Sequence, residues 1–226
     1  MARIRCQRPE PFDQCPLRSV HAAVAHAIEA LDADRLDEQA AVLAHHWEKA
    51  GEALAAARWH ARAAGWAMRS DTAAAHRHWL RVKELAAGVP ADEAGELEGR
   101  ALGELVNLGW RVGHPLDEIR TYFETARQRF EASGDRRSLC LLHSNYALMG
   151  AVAGLHSSVS IECYREANRL AHELADPSLQ IAVGVPIGSV INAGLLRETL
   201  GWTNACIELI EARARAARRS CTSTSK

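Results

Sequence analysis

The stretch WHARAAGWAMRSDTAAAHRHWLRV, residues 59–82, decides the fold that we predict for this chain. Steps of four and then three residues place a set of side chains on one helix face. Small residues at a helix crossing let two axes approach closely, and large aromatic side chains fill the groove around the contact. We therefore predict a helical hairpin built for packing. Two sets have this spacing, one before and one after Ser70-Asp71: Trp59, Ala63 and Trp66, then Ala75, Trp79 and Val82.

Helical periodicity continues along most of the chain, and Gly, Pro and Asp interrupt it at intervals. No segment alternates at period two, so we predict no sheet. Residues 1–18, with three prolines, are expected to be a tail, 19–219 an array of helical hairpins, and 220–226 a polar tail. We expect a bend at Pro186 in the ninth helix. The ten predicted helices are 19–31, 36–50, 52–69, 72–88, 91–112, 116–133, 136–154, 158–175, 178–200 and 201–219.

The packing pattern recurs imperfectly. The step from Trp47 to Trp79 is 32 residues, from Trp79 to Phe130 it is 51, and from Phe130 to Ala171 it is 41. The pattern resembles the tetratricopeptide (TPR) repeat, whose period is about 34 residues. This resemblance implies an all-α solenoid of TPR-like hairpins, irregular beyond its first two repeats. Its packing positions are Trp47, Trp59, Ala63, Trp66, Ala75, Trp79, Ala126, Phe130, Ala167 and Ala171.

Three longer segments carry a more specific resemblance: RLDEQAAVLAHHWEKAGEALAAARWHARAAGWA (35–67), NLGWRVG (107–113) and REANRLAHELADPSLQIAVGVPIGSVINAGLLRETL (165–200). Together they resemble the C-terminal TPR region of bacterial multidomain signalling proteins. In those proteins a class III adenylate/guanylate cyclase domain and an AAA-type ATPase precede the repeats. Similar regions occur in ATPase-containing transcriptional activators of the LuxR type. The resemblance covers about residues 20–212 and implies a regulatory or interaction segment.

The catalytic motifs of that family are missing from this sequence. Nucleotide binding by the ATPase needs G-x-x-x-x-G-K-[ST], and the nearest glycine cluster, Gly184 to Gly188, contains no lysine. Cyclase chemistry needs paired aspartates on strands to hold two metal ions, and no strand is predicted. We therefore expect neither enzymatic activity nor a bound cofactor.

Composition narrows the classes of partner. The chain has 27 basic and 28 acidic residues and a formal charge of −1, so no long-range field attracts nucleic acid or an anionic membrane. No apolar run is long enough to span a bilayer. Six scattered cysteines without a C-x-x-C pair favour a reducing cytoplasm, with Cys140, Cys163 and Cys206 as small core residues.

Histidines and carboxylates suggest chemistry that their spacing does not support. Metal ligands on one helix face need a step of four residues, whereas His45 and His46 are adjacent and His76 and His78 lie two apart. We therefore predict no metal site. Five carboxylates are candidates for acid or base catalysis, but they lie where solvated helix faces and first turns are expected: Glu96, Glu98, Glu104, Asp117 and Glu118.

Polar residues on the first helix of each hairpin remain as candidates for recognition. In TPR arrays these helices line a concave groove, where packing alone does not explain a polar side chain. A structural role, such as bonding to a neighbouring backbone group, is the competing interpretation for each of them. The predicted groove residues are His60, Asn107, Arg111, Asn145 and Asn192.

These observations favour a non-catalytic, cytoplasmic scaffold that binds a protein or peptide partner, such as a cyclase or ATPase module encoded elsewhere. The alternative is the ligand-sensing region of a LuxR-type activator that lacks its DNA-binding part. Neither end of the predicted solenoid has a clear polar capping helix. We therefore expect either a fragment of a longer protein or an oligomer in which another subunit covers an exposed end.

Overall fold

A computed structural model describes residues 14–153, 157–184 and 196–223, and within these ranges the fold is all-α. The described residues form ten α-helices, with the 3-10 turn Ala33–Arg35 between the first two, and contain no strand. The predicted fold class is confirmed. The helices are α1 (Gln14–Leu31), α2 (Leu36–Ala50), α3 (Ala53–Ala67), α4 (Thr72–Ala86), α5 (Ala91–Val112), α6 (Leu116–Ser133), α7 (Arg136–Ala153), α8 (Ser157–Glu173), α9 (Pro177–Val183) and α10 (Leu196–Ser223).

Local signals in the sequence set several of the helix ends. Gly51 and Gly134 follow α2 and α6 in the left-handed conformation, with φ of 87° and 72°, which glycine adopts without a steric penalty. Asp71 caps α4, since its side chain accepts a hydrogen bond from the amide of Ala74 at 2.8 Å. Asp176 caps α9 in the same way, through the amide of Ser178 at 2.8 Å.

Four predicted boundaries are wrong. The ninth helix, predicted to reach residue 200, ends at Val183. Helix α1 begins at Gln14 rather than Ser19, and it includes Pro16 in its first turn, where a missing amide hydrogen costs no helical bond. Helix α10 begins at Leu196, continues through Gly201 and ends at Ser223, so neither a boundary at 200 nor a tail from 220 is found. The bend expected at Pro186 lies outside the described residues.

The chain divides into two compact units, Met1–Leu97 and Glu98–Lys226. In the first unit, α1 to α4 pack in sequence around a core that includes Leu43 and Trp47. The carboxylate of Glu29 on α1 accepts hydrogen bonds from the indole nitrogens of Trp47 at 2.9 Å and Trp59 at 3.0 Å. One side chain thereby ties α1 to both α2 and α3.

In the second unit, α5 approaches α6 closely through glycine. A methyl group at Gly99 would lie 3.0 Å from Cβ of Arg129 and 3.2 Å from the ring of Phe130, and Gly103 also faces that ring. Both distances are shorter than ordinary van der Waals contact, so the crossing depends on the missing side chain. A second core cluster joins α7, α8 and α9 through residues such as Cys140, Leu170 and Leu179.

The predicted packing residues occupy different environments. Trp59 is half-buried, and Trp66 is 41% exposed, so the prediction that Trp66 packs between helices is wrong. Its position on the α3 face that is turned to solvent explains the difference, since Arg58, Arg62 and Gly65 beside it are exposed as well. The buried members of the set are Trp47, Ala63, Ala75, Trp79, Ala126, Phe130, Ala167 and Ala171.

We predict that Gly99→Ala destabilises the second unit by about 1–3 kcal/mol, because the added methyl overpacks the contact with Phe130. Gly65→Ala is the matched control, since a methyl there meets nothing within 4 Å. It should be neutral or stabilise its helix by about 0.5–1 kcal/mol, because alanine favours helix more than glycine does. Urea unfolding followed by circular dichroism measures both effects, and equal free energies of unfolding for the two variants would contradict the packing argument.

Candidate functional site

A cleft of about 250 Å³ in the second unit is the leading candidate site. It lies between α5 and α7, and α6 contributes the ring of Phe130. Its lining mixes polar groups with an apolar surface, a combination that is typical of recognition sites. The lining residues are Arg100, Gly103, Glu104 and Asn107 from α5, Phe130 from α6, and Ser138, Leu141, Leu142 and Asn145 from α7.

Helix periodicity places these residues in the cleft. Arg100, Glu104 and Asn107 follow one another at steps of four and three residues on α5. Ser138, Leu142 and Asn145 have the same spacing on α7. Two of the predicted groove residues, Asn107 and Asn145, are thus brought into one cleft. Arg100 and Ser138 also line the cleft and are not among the predicted groove residues, although their helical spacing from Asn107 and Asn145 identifies them.

Asn107 forms a weak hydrogen bond within the cleft. Asn107 Nδ2 donates to Glu104 Oε2 at 3.3 Å, which is long for an amide donor to a carboxylate. Asn107 and Asn145 are half-buried, and Arg100 is exposed. A primary amide both donates and accepts hydrogen bonds, as a peptide backbone does. The arrangement is therefore suited to binding an extended peptide, with half-buried Leu141 as its apolar contact.

The other predicted groove residues lie elsewhere. Arg111 is exposed near the end of α5, where its guanidinium stacks on the ring of Trp110 at 4.8 Å, and it does not line the cleft. Asn192 lies outside the described residues. His60 is only 9% exposed, so the prediction that it lines an open groove is wrong.

His60 belongs instead to a partly buried polar cluster in the first unit, which we call the His60 cluster: Glu48, His60, His78 and Arg81. Arg81 donates two hydrogen bonds to Glu48, from Nε at 3.0 Å and from Nη2 at 2.6 Å. Bonding to Arg81 lowers the pKa of Glu48 to about 2, so the carboxylate stays ionised. The cluster joins α2, α3 and α4 by charge-assisted bonds.

The hydrogen bonds of the His60 cluster fix the protonation of its two imidazoles. His60 Nε2 lies 3.1 Å from Glu48 Oε2 and must donate to it, since an ionised carboxylate only accepts. Neutral His60 then accepts at Nδ1, and His78 Nδ1 donates to it across 2.9 Å. Burial lowers the pKa of both His60 and His78. Two imidazolium ions would place two donors against each other, so the contact tolerates only one added proton.

A second imidazole contact joins α1 to α2. His21 Nδ1 and His46 Nδ1 lie 2.9 Å apart, and the ring of His45 lies beside both. Burial is the main cause that lowers the pKa of His46, and the nearby His21 and His45 add to it. The role of these histidines is therefore explained by contacts between helices.

Groups considered for chemistry are engaged in structural bonds. Glu98 pairs with Arg129 at 2.7 Å, and Glu118 accepts from His114 Nδ1 at 2.8 Å and from the hydroxyl of Tyr122. Cys140, Cys163 and Cys206 are buried and free, as expected for core residues, and burial raises the pKa of the Cys163 thiol to about 12. Among the described side chains, no group of three or more His, Cys, Asp and Glu has the arrangement of a metal site.

Comparison with known proteins assigns this chain to no family. No protein-family model matches this chain, and no curated protein is significantly similar to it. Across the described ranges, none of the helices combines the length and the apolar character needed to cross a bilayer.

We predict that the first unit loses stability as the pH falls from 7.5 to 5.5. The lowered pKa values of His46, His60 and His78 mean that the folded state favours the neutral imidazoles. The stabilisation is complete above the unfolded pKa of about 6.5 and is lost as the pH falls below it toward the folded values. Carboxylates titrate mainly below this range, so they contribute little to the change.

Tryptophan fluorescence during urea unfolding measures this effect, because four of the six tryptophans lie in the first unit. His78→Gln should reduce the fall of the urea midpoint between pH 7.5 and 5.5. His172→Gln, at an exposed position in the last turn of α8, is the control and should keep the full fall. A midpoint that is constant or rises on acidification would contradict the prediction.

Proposed function

We propose that this protein is a non-catalytic scaffold that binds an extended segment of a partner protein in the cleft between α5 and α7. The observation that carries the proposal is the pairing of Asn107 and Asn145, which come from two helices and line one cleft together. Their amides match the alternating donors and acceptors of a peptide backbone. Phe130 and Leu142 lie buried beneath the cleft, and half-buried Leu141 supplies the apolar surface for a side chain of that peptide.

The proposal extends the TPR-like interpretation of the repeat pattern. Stacked helical hairpins expose the same face of successive helices, and such surfaces bind peptides in repeat proteins. The α5 and α7 helices are the first members of two successive hairpins, and both contribute to the cleft. On this proposal the protein is a relative of the regulatory region of cyclase and ATPase signalling proteins, and its partner is such a module or a protein in the same assembly.

The alternative function, sensing of a small ligand for a transcriptional activator, has less support. Small-molecule sites usually enclose roughly 300–1,000 Å³, whereas this cleft holds about 250 Å³. Its lining is also spread along two helices rather than converging on one point, since the polar positions extend from Arg100 to Asn107 on α5 alone. This shape favours an elongated partner.

Selection from a displayed peptide library tests the cleft. We expect peptides that bind the wild-type protein to lose about tenfold or more in affinity for the Asn107→Ala/Asn145→Ala double variant, because each loses a pair of amide hydrogen bonds. Asn204→Ala, at an exposed position on α10, is the matched control and should bind like the wild type. Equal affinity for the double variant would reject the cleft as the site.

A second experiment tests the non-catalytic part of the proposal. We expect no cyclic nucleotide from ATP or GTP, and no phosphate release, when the purified protein is incubated with Mg²⁺ or Mn²⁺. The physical reason is that the sequence lacks the glycine-rich loop with its lysine that cradles nucleotide phosphates. Turnover that copurifies with the protein through successive columns would reject this part and leave the cleft experiment unaffected.

A further inference from the structure

The exposed side of α3 has an unusual composition. Of the residues of this helix, only Arg58, Arg62, Gly65 and Trp66 are exposed, and Arg69 is exposed just beyond its end. We call these five residues the Arg/Trp face. It contains three guanidinium groups, one indole and no carboxylate. It belongs to the first unit, so it is separate from the cleft and does not depend on the function proposed for it.

Among the described residues, two of the three arginines have no acidic partner. Arg62 is paired with Asp37, with Nε 2.5 Å from Oδ1, and its guanidinium also lies over the ring of Trp59 at 5.1 Å. Within the described part of the chain, neither Arg58 nor Arg69 forms an ion pair. The face therefore has a local positive charge, although the whole chain carries −1.

Trp66 supplies an apolar contact at the same place. Its side chain is 41% exposed, and the guanidinium of Arg69 stacks over its ring at 5.2 Å. Stacking uses the flat side of a guanidinium and leaves the N–H groups at its edge able to donate to a carboxylate. Gly65 beside the indole leaves open space, since a methyl there would meet nothing within 4 Å. Tryptophan and arginine are also the residues that dominate binding energy at protein interfaces.

We propose that the Arg/Trp face binds an acidic peptide segment of a partner protein, with an apolar residue of the segment on Trp66 and Gly65. Charge complementarity selects the occupant: Arg58 and Arg69 each pair with one carboxylate, and Arg62 stays held by Asp37. The indole of Trp66 and the open space at Gly65 then accommodate the apolar side chain between the two ion pairs. Exclusion of water by that side chain strengthens both pairs.

The spacing of the two arginines sets the spacing of the carboxylates. Arg69 follows Arg58 by eleven positions, the last two in the turn after α3, which corresponds to about 16 Å at the rise of a helix. An extended peptide covers about 3.3 Å per residue, so the two acidic residues should lie about five positions apart. The apolar residue should lie between them, nearer to the carboxylate that contacts Arg69, because Trp66 is close to that end.

A single-stranded nucleic acid fits this face less well than a peptide. Binding of bare strands uses several exposed rings on which successive bases stack. The Arg/Trp face has one exposed aromatic ring, that of Trp66. Trp59 is half-buried, and its indole nitrogen is bonded to Glu29. The chain as a whole lacks the excess positive charge that nucleic-acid binding requires.

Fluorescence anisotropy with one defined probe tests the proposal. The probe is a fluorescein-labelled peptide of eight residues, with glutamate at positions two and seven, leucine at position five and serine elsewhere. We expect micromolar binding to the full-length protein, weakened at least tenfold by Arg58→Gln/Arg69→Gln and about fivefold by Trp66→Ala. Binding should also weaken as NaCl rises from 50 to 300 mM, because exposed ion pairs are screened.

Three controls test whether the probe binds at this face. Arg120→Gln removes an exposed arginine of the second unit and should leave the affinity unchanged, as should Asn107→Ala/Asn145→Ala. A probe with glutamine in place of both glutamates should bind at least tenfold more weakly. Arg58 and Arg69 are exposed, so circular dichroism and melting temperature of the double arginine variant should match the wild type.

Several results would overturn the proposal. One is equal binding of the glutamate and glutamine probes, and another is wild-type affinity in the double arginine variant. A third is tighter binding of labelled oligothymidylate than of the acidic probe, with loss of that binding in the same variants. That result would assign the face to nucleic acid instead. Failure here leaves the cleft proposal intact, because its variants change a different unit.

Discussion

The structure depends on the close approach of neighbouring helices at positions where one of them has almost no side chain. Gly99 and Gly103 on α5 meet the ring of Phe130 on α6, and Ala63 and Ala75 are buried in the α3–α4 hairpin. Because dispersion falls steeply with distance, such contacts hold helices firmly only when small and large residues alternate across the crossing. The same packing determines which side of each helix faces solvent. Both candidate surfaces include residues on these exposed sides.

The polar interior of the first unit adds directional bonds to this packing. Glu29 accepts hydrogen bonds from two indoles. Glu48 forms a bidentate pair with Arg81 and also accepts a hydrogen bond from His60, which contacts His78. Polar groups that are withdrawn from water need partners, and each of these bonds joins two different helices. These bonds therefore define how successive helices meet. They also place His46, His60 and His78, whose pKa values are lowered, in one unit, so we expect acid to destabilise that unit while the carboxylate of Glu48 remains charged.

The two candidate recognition surfaces differ in chemistry. The cleft offers neutral amides above an apolar surface, which suit a peptide backbone, whereas the Arg/Trp face offers Arg58 and Arg69 on either side of an exposed indole. A protein that uses both surfaces would bind the backbone of one segment and the acidic side chains of another. Binding at two linked sites increases overall affinity through effective concentration, provided that the linker spans them.

The sequence by itself determined the helical fold, since the steps of three and four residues, the glycines at positions 51 and 134 and the cap at Asp71 are local signals. It also identified Asn107 and Asn145 as candidate recognition residues. Only the tertiary structure decided that those two share a cleft, that His60 is buried against Glu48 and that Trp66 faces solvent. The reason is that periodicity defines a face of a helix but not its neighbour. Which face becomes buried depends on crossings made by residues far apart in the chain.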